Sequence, residues 1–383
     1  MKLILKLIAG ILFGMAIGAF APHEVARVLY TAKALIGELI GFTIPLIILF
    51  FICSGIAGLP KGANHLLGKT VGFAYGSTVI AGTLAVLVML WAAPMLTGTV
   101  NFSGSEESAL KSFIDIEIPP LMGVMTALVT AFTFGIAISQ RQLTELQTVV
   151  DQGRDVIDAL LARVIIPALP FYIAGVFADM TVAGTVAETL QTFAVVLAIA
   201  LIMHWLWLTV LYVSTGILLK RSPLELIKNM LPAYLTALGT MSSAATIPVS
   251  LQSSKNNGVK ENIANFSVPL CATIHLSGST ITIVTCAMAV MALSPSLELG
   301  GFMQMLPFVF MLGIVMIAAP GAPGGAVMSA LGLLTSMLGF NDAAIALMIA
   351  LYLAQDSFGT ACNVTGDGII ALWVDRFSVK TEA

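Results

Sequence analysis

The stretch LYLAQDSFGTACNVTGDGIIALWVDRF carries Asp356, Thr360, Asn363 and Asp367 at spacings i, i+4, i+7 and i+11. At 3.6 residues per turn these four fall along one face of a helix. Most of the surrounding residues are apolar. A carboxylate inside an apolar span costs about 2.5–3.5 kcal/mol on insertion scales, so two of them on one stripe mark a functional site by default. The bland reading is a pair of carboxylates capping neighbouring backbone amides. A shared polar face beside the helix-breaking NVTG counts against that reading. Asp375 is different, because it precedes Arg376 at the end of the helix and suits an interface. Asp356 and Asp367 would lie about 16 Å apart along the axis, too far for one acid/base or metal centre. Neither a Ser-His-Asp order nor an HxxxH spacing supports hydrolysis, so the chain reads as a non-enzyme. Channel filters are rings of repeated residues, whereas these polar groups are asymmetric and suit an occluded zwitterion.

Two further segments could do chemistry beside that helix. In LGTMSSAATIPVS, Ser242 and Ser243 precede a turn closed by Pro248, and AAPGAPGGAVM holds three glycines and two prolines. Each reads either as a kinked helix or as a hairpin tip. Free amides at half-helix N-termini attract anions, and free carbonyls at C-termini suit a hard cation. A third interruption, CATIHLSGSTITI, carries Thr273, His275, Ser277 and Ser279. A lone histidine is more often a satisfied core group than a ligand or proton carrier. His204, in MHWLWL, reads as an aromatic-belt residue.

The elements that position these residues must sit in lipid. Apolar residues make up 58% of the 383 and charged residues 10%, against about 25% charged in soluble domains. A soluble fold could not hide that much apolar surface. The net charge of -3 says nothing about nucleic acid, because basic residues sit in short inter-helix clusters rather than on one polar face, and no nucleic-acid partner is expected. Cys53, Cys271, Cys286 and Cys362 lie in apolar stretches without ligand spacing and read as small core residues.

Apolar runs of spanning length occur at about 3–21, 31–58, 67–98, 117–138, 157–182 and 189–219. The first could pass for a signal peptide; charge balance favours an uncleaved span. Within it Gly10, Gly14 and Gly18 suit close helix approach, either within the chain or between copies. Beyond residue 220 the runs are interrupted, in two blocks at about 223–292 and 299–374 that suggest an internal repeat. Basic residues near span ends put Lys2, Lys6, Lys61, Lys69, Arg141, Arg154, Lys220, Arg221 and Lys228 in the cytoplasm. Lys255, Lys260, Arg376 and Lys380 join them if 223–253 is a re-entrant hairpin, with 299–335 dipping from the other face. Arg27, Lys33, Lys111 and the acidic loop TVNFSGSEESALKSFID fall opposite. The expected fold is an all-α integral membrane protein of eight transmembrane helices and two re-entrant helical hairpins. Both termini are expected in the cytoplasm and the chain in a bacterial-type inner membrane.

SSAATIPV, PLCATIHLSGST, GAPGG and above all QDSFGTACNVTGD resemble the dicarboxylate/amino acid:cation symporter family, the glutamate-transporter homologues. The resemblance implies inverted repeats, a homotrimer, elevator-type alternating access and sodium coupling. It makes residues 1–220 mainly scaffold and trimerisation helices, of which the third and sixth move with a transport domain at 221–383. It gives Asp356 the substrate amino group, with Thr360 beside it, and gives Asn363 the α-carboxylate together with amides near Ser242 and Ser243. The second tip, with Ala322 and Gly324, completes the substrate site. Asn363 and Asp367, with carbonyls near Cys271 and His275, match one Na+ position; Thr273 and the backbone around Ala318 match another.

The departures narrow the substrate. Acidic-substrate members carry an arginine where this chain has Gly359, and others carry one where it has Met241. Between Lys260 and Arg376 there is no lysine or arginine, so a second substrate carboxylate would enter a dry pocket unpaired, at a cost of several kcal/mol. Gly359 is expected to leave room for a small side chain. The resemblance therefore implies a neutral amino acid of the serine, threonine or alanine kind, and QDS and SSAA resemble the serine/threonine symporter branch. The alternative is a cation-coupled carrier of dicarboxylates or acidic amino acids. The family's NMDGT motif is HLSGS here, which puts a third Na+ in doubt and opens H+ coupling through His275, because imidazole ordinarily titrates near neutral pH.

Overall fold

Backbone amides find no water in lipid, so each apolar run closes its own hydrogen bonds as a helix. The computed structural model describes residues 2–58, 64–96, 110–294 and 297–378, and the regular elements among them are helical. Lys61, Lys380, most of the acidic loop at 97–109 and the Lys2 side chain lie outside the described residues. The first six helices are α1 (Lys2–Phe20), α2 (His23–Ala57, with a π-helical turn at Ile48–Ile52), α3 (Asn64–Ala92), α4 (Val124–Arg141), α5 (Thr144–Val182) and α6 (Val186–Leu219).

The later half is a hairpin followed by a long apolar segment, twice. Helices α7 (Pro223–Thr240) and α8 (Ser243–Asn256) form the first hairpin. Its base is tied by Asn257 Nδ2 donating to Leu226 O at 3.0 Å and Asn229 Nδ2 donating to Asn257 Oδ1 at 2.9 Å. A broken span follows, α9 (Glu261–Ile274) and α10 (Ser277–Leu293). Helices α11 (Phe302–Met316) and α12 (Gly325–Leu338) form the second hairpin, joined by the irregular segment 317–324. The last helix, α13 (Asp342–Ser378), runs unbroken for 37 residues.

That continuity corrects one expectation. NVTG was expected to interrupt the last helix, yet residues 363–366 are helical. Packing overrides propensity here: Val364 and Thr365 are buried, and a methyl at Gly366 would lie 2.8 Å from Cε1 of His275. Glycine is tolerated in mid-helix because a neighbouring ring fills its place.

Six helical stretches among the described residues are long and apolar enough to cross a membrane: α2, α3, α5, α6, the α9–α10 pair and α13. Helices α1 and α4 are shorter, at 19 and 18 residues. Helices α1, α2, α4 and α5 pack on one another, whereas α3 and α6 pack on the interrupted half. The two groups meet chiefly where α12 touches α2 and α4, and where α13 touches α1 and α5. Methyls at Gly10, Gly14 and Gly18 would fall against the carbonyl oxygens of Pro170, Ala174 and Ala178 on α5. The glycine stripe of α1 thus serves packing within the chain.

Candidate substrate and cation site

The two hairpin tips meet against α13 near its middle. Ser242 caps α8, its Oγ accepting from the Ala245 amide at 3.2 Å. Met241 ends α7 in the left-handed region, φ 56°, a conformation uncommon without glycine, and its side chain is buried. Gly324 supplies the matching turn at the second tip, φ 75°.

Between the tips lies a small cavity. Met241 and Ser243 line it from the first hairpin, and Pro320, Gly321, Ala322 and Ala326 from the second. Leu276 and Ser279 contribute from the broken span, and Tyr352, Asp356, Thr360 and Asn363 from α13. Of the expected substrate residues, Ser243, Ala322, Asp356, Thr360 and Asn363 therefore come together. Gly324 joins through its backbone, its amide donating to Asp356 Oδ2 at 2.7 Å. Ser242 stands outside the lining, with its hydroxyl donating to Gly321 O at 2.7 Å. Gly359 does not line the cavity either. A methyl there would come 3.2 Å from Thr282 Oγ1 and 3.5 Å from Gly278 O. The room expected at Gly359 is occupied by α10, and this glycine permits the close approach of two helices.

A second polar cluster sits at the break between α9 and α10. Asn363 Oδ1 accepts from the amides of Gly278, at 2.7 Å, and Ser279, at 3.1 Å, while its Nδ2 donates to Ser279 Oγ at 2.9 Å. The amide side chain thus caps the positive end of α10. One turn along α13, Asp367 Oδ1 lies 2.8 Å from His275 Nδ1, and His275 Nε2 lies 2.8 Å from Ser77 Oγ on α3. His275 and Asp367 are 0% and 1% exposed, so the Asp367 carboxylate depends on the His275 ring for a partner. The carbonyl end of α9 points at the same break and favours positive charge.

The remaining expected cation ligands are placed unevenly. The Cys271 carbonyl accepts the His275 amide at 2.8 Å within α9. Thr273 is exposed, with its hydroxyl on Leu270 O at 2.8 Å. Ala318 packs against α2, where a methyl at Gly55 would lie 3.1 Å from its Cβ. Gly321 is the tip residue beside the carbonyl end of α9: a methyl there would lie 3.3 Å from Ala272 O. Among the described residues no three His, Cys, Asp or Glu side chains gather. The available donors are carboxylate, amide and helix-end oxygens, which suit a hard ion.

His204 corrects the belt reading: it is 3% exposed, and its Nε2 lies 3.1 Å from Gly278 O and 3.0 Å from Thr282 Oγ1. Its neighbour Trp205 faces outward, so the aromatic run hid one inward position. Tyr352 was missed although it stands one turn before Asp356 on the same face, a spacing that could have revealed it. Ser77 left no signal, being 198 residues from the ring it meets.

The family model for the sodium:dicarboxylate symporter family matches residues 3–377. The chain is 28% identical over 295 residues to the human excitatory amino acid transporter 1, covering 74% of this chain and 54% of that protein, so it spans about half the relative's length. It is 25% identical over 398 residues to the serine/threonine transporter SstT of Acinetobacter baumannii, covering 98% of this chain and 96% of the relative. With two hairpin tips meeting on a carboxylate-bearing helix, the family match along nearly the whole chain makes this protein a member of the sodium:dicarboxylate symporter family.

Proposed function

We propose that this chain is a Na+-coupled symporter of a small neutral amino acid of the serine, threonine or alanine type. The observation that carries the reading is the charge inventory of the cavity: Asp356 is its one carboxylate, and no lysine or arginine is among its lining residues. A single carboxylate matches a single ammonium. The α-carboxylate is received by Asn363 Nδ2 and the N-terminus of α8 at Ser243, where free amides favour an anion. A second carboxylate would face Met241, Leu276 and Pro320 with no cation to pair it. The name and coverage of the SstT relative support the same substrate class.

Na+ enters as cargo at the α9–α10 break, held by Asn363, Asp367 and helix-end carbonyls. Thr273 and the second tip contribute a further position when the tip rearranges. Helices α1, α2, α4 and α5 form the scaffold and the trimer contact, and the remainder moves against them as an elevator. The protein resides in an inner membrane with both termini cytoplasmic. H+ instead of, or beside, Na+ is the second reading, favoured by His275 facing Asp367 at 2.8 Å. Uptake that keeps its sodium requirement and is flat between about pH 5 and 8 would remove it.

The test is uptake of labelled serine into proteoliposomes driven by a sodium gradient, in wild type and Asp356→Ala. Uptake that requires sodium and disappears in the variant supports the reading. Uptake of succinate or aspartate in preference to serine overturns it.

A further inference from the structure

Away from the hairpin tips, a cavity of about 450 Å³ lies between the two helix groups. The site between the tips measures about 10 Å³. The larger space falls within the range of small-molecule pockets, about 300–1,000 Å³. One wall is a face of α2 carrying Lys33, Gly37, Glu38 and Gly41. Asp115 joins from the segment leading into α4, and Tyr172 from α5. Thr335 of α12 and Ile345 of α13 contribute from the interrupted half.

The two glycines keep this space open. A methyl at Gly41 would meet nothing within 4 Å, and one at Gly37 would meet only Cε2 of Tyr172, at 3.6 Å. On α1 the same residue type does the opposite, since methyls at Gly10, Gly14 and Gly18 would strike α5. The lining also carries both signs of charge. The Lys33 ammonium stands 4.9 Å from the ring centroid of Tyr30, itself a lining residue. Glu38 is held in place by the Ile118 amide, which donates to its Oε2 at 2.9 Å, and Asp115 is exposed. An anion would be repelled by Glu38 and Asp115, and a cation by Lys33. A zwitterion offers an opposite charge to each. The rings of Tyr30 and Tyr172 suit an aromatic side chain between those charges.

We propose that this cavity binds a zwitterion larger than serine, an amino acid with an aromatic side chain, and that its binding holds the two helix groups in this arrangement. Lys33 takes the carboxylate, and Glu38 and Asp115 take the ammonium. Because α2 and α5 wall one side and α12 and α13 the other, displacing one group against the other remakes the cavity. A ligand with affinity for one arrangement alone shifts the population towards it, which slows transport without competing at Asp356. The inference rests on the proposed movement only for that consequence, because occupancy can be read without any transport.

The probe is labelled L-tryptophan, bound at equilibrium to the purified full chain carrying Asp356→Ala, which removes the amine anchor of the solute site. Saturable binding is expected to survive that substitution. Adding Gly41→Leu, which fills the open space, should abolish it. Adding Lys33→Gln, which removes the partner of the carboxylate, should weaken it about tenfold or more. Gly41→Ala should stay within about twofold of its parent, because its methyl meets no neighbour. If Gly41→Leu fails to fold, Lys33→Gln carries the test alone. In serine uptake by protein with Asp356 intact, tryptophan should lower Vmax and leave the serine KM unchanged. No saturable binding, or binding that Lys33→Gln leaves at full strength, would overturn the site. A raised serine KM would place tryptophan at the solute site instead, and an unchanged Vmax would overturn the holding of the two groups. If binding follows the expected order while the protein takes up no serine, the second site stands and the substrate assignment fails.

Discussion

Helix α6 and the broken pair α9–α10 are both strongly apolar, with mean hydropathies of 2.3 and 1.8 in their most apolar 18-residue windows, yet 39% of the first window and 94% of the second is buried. α6 runs without interruption, whereas α9–α10 breaks at His275 and Leu276 and exposes helix ends. What differs is the surroundings. A break facing lipid would leave amides and carbonyls unpaired, at several kcal/mol each. Wrapped by α3, α6 and α13, the break in α9–α10 finds Asn363, Asp367 and Ser77 as partners. Burial in protein is therefore what allows a membrane helix to offer binding groups. The same contrast separates the packed helices α1, α2, α4 and α5 from the interrupted half.

The contrast can be broken most severely at Asp356. Removing one partner of a buried charge pair costs about 2–5 kcal/mol, so Asp356→Ala should lower serine uptake by about thirtyfold or more, measured in proteoliposomes. The boundary between the two groups comes next. A methyl at Gly55 would lie 3.1 Å from the Ala318 Cβ, close to disulfide geometry of about 3.5–4.5 Å between Cβ atoms. Gly55→Cys with Ala318→Cys should cross-link on oxidation and stop turnover in the cross-linked fraction, with recovery on reduction. Full-speed transport by the cross-linked protein would mean that the two helix groups do not move against each other.

Asp367→Asn is expected to act on ions more than on solute. It weakens the contact to His275 and removes a full charge from the α9–α10 break, an effect of about 1–3 kcal/mol. The sodium concentration for half-maximal uptake should rise about tenfold. An equal loss in Gly14→Leu would dissolve the distinction between the two regions. That substitution overpacks α1 against α5 and should cost about 1–3 kcal/mol of stability, seen as earlier thermal unfolding with KM unchanged.

Much of this was legible in the sequence because two periods carry it. Long apolar runs announced α2, α3, α5 and α6, and the i, i+4, i+7, i+11 spacing put Asp356, Thr360, Asn363 and Asp367 on one face. Proline and glycine marked the second hairpin tip, whereas Pro248, expected to close a turn at the first, lies inside α8. What escaped depends on who packs against whom. NVTG resembles a breaker until the His275 ring is seen filling the space at Gly366. Gly359 suggests room until Thr282 and Gly278 are found in that room. Ser77 and His204 reach the break from distant helices, and no local pattern encodes such contacts. The Ser242 hydroxyl could be assigned to a turn from sequence, but its choice of Gly321 is a tertiary fact.

The most direct test is equilibrium binding of serine and of aspartate to the purified protein, by calorimetry, with and without sodium. The account predicts that serine binds only when sodium is present, that aspartate does not displace it, and that Asp356→Ala binds neither. Aspartate binding as tight as serine, or displacing it at equal concentration, would contradict the account, because the cavity would then have to hold a second carboxylate with no cation beside it.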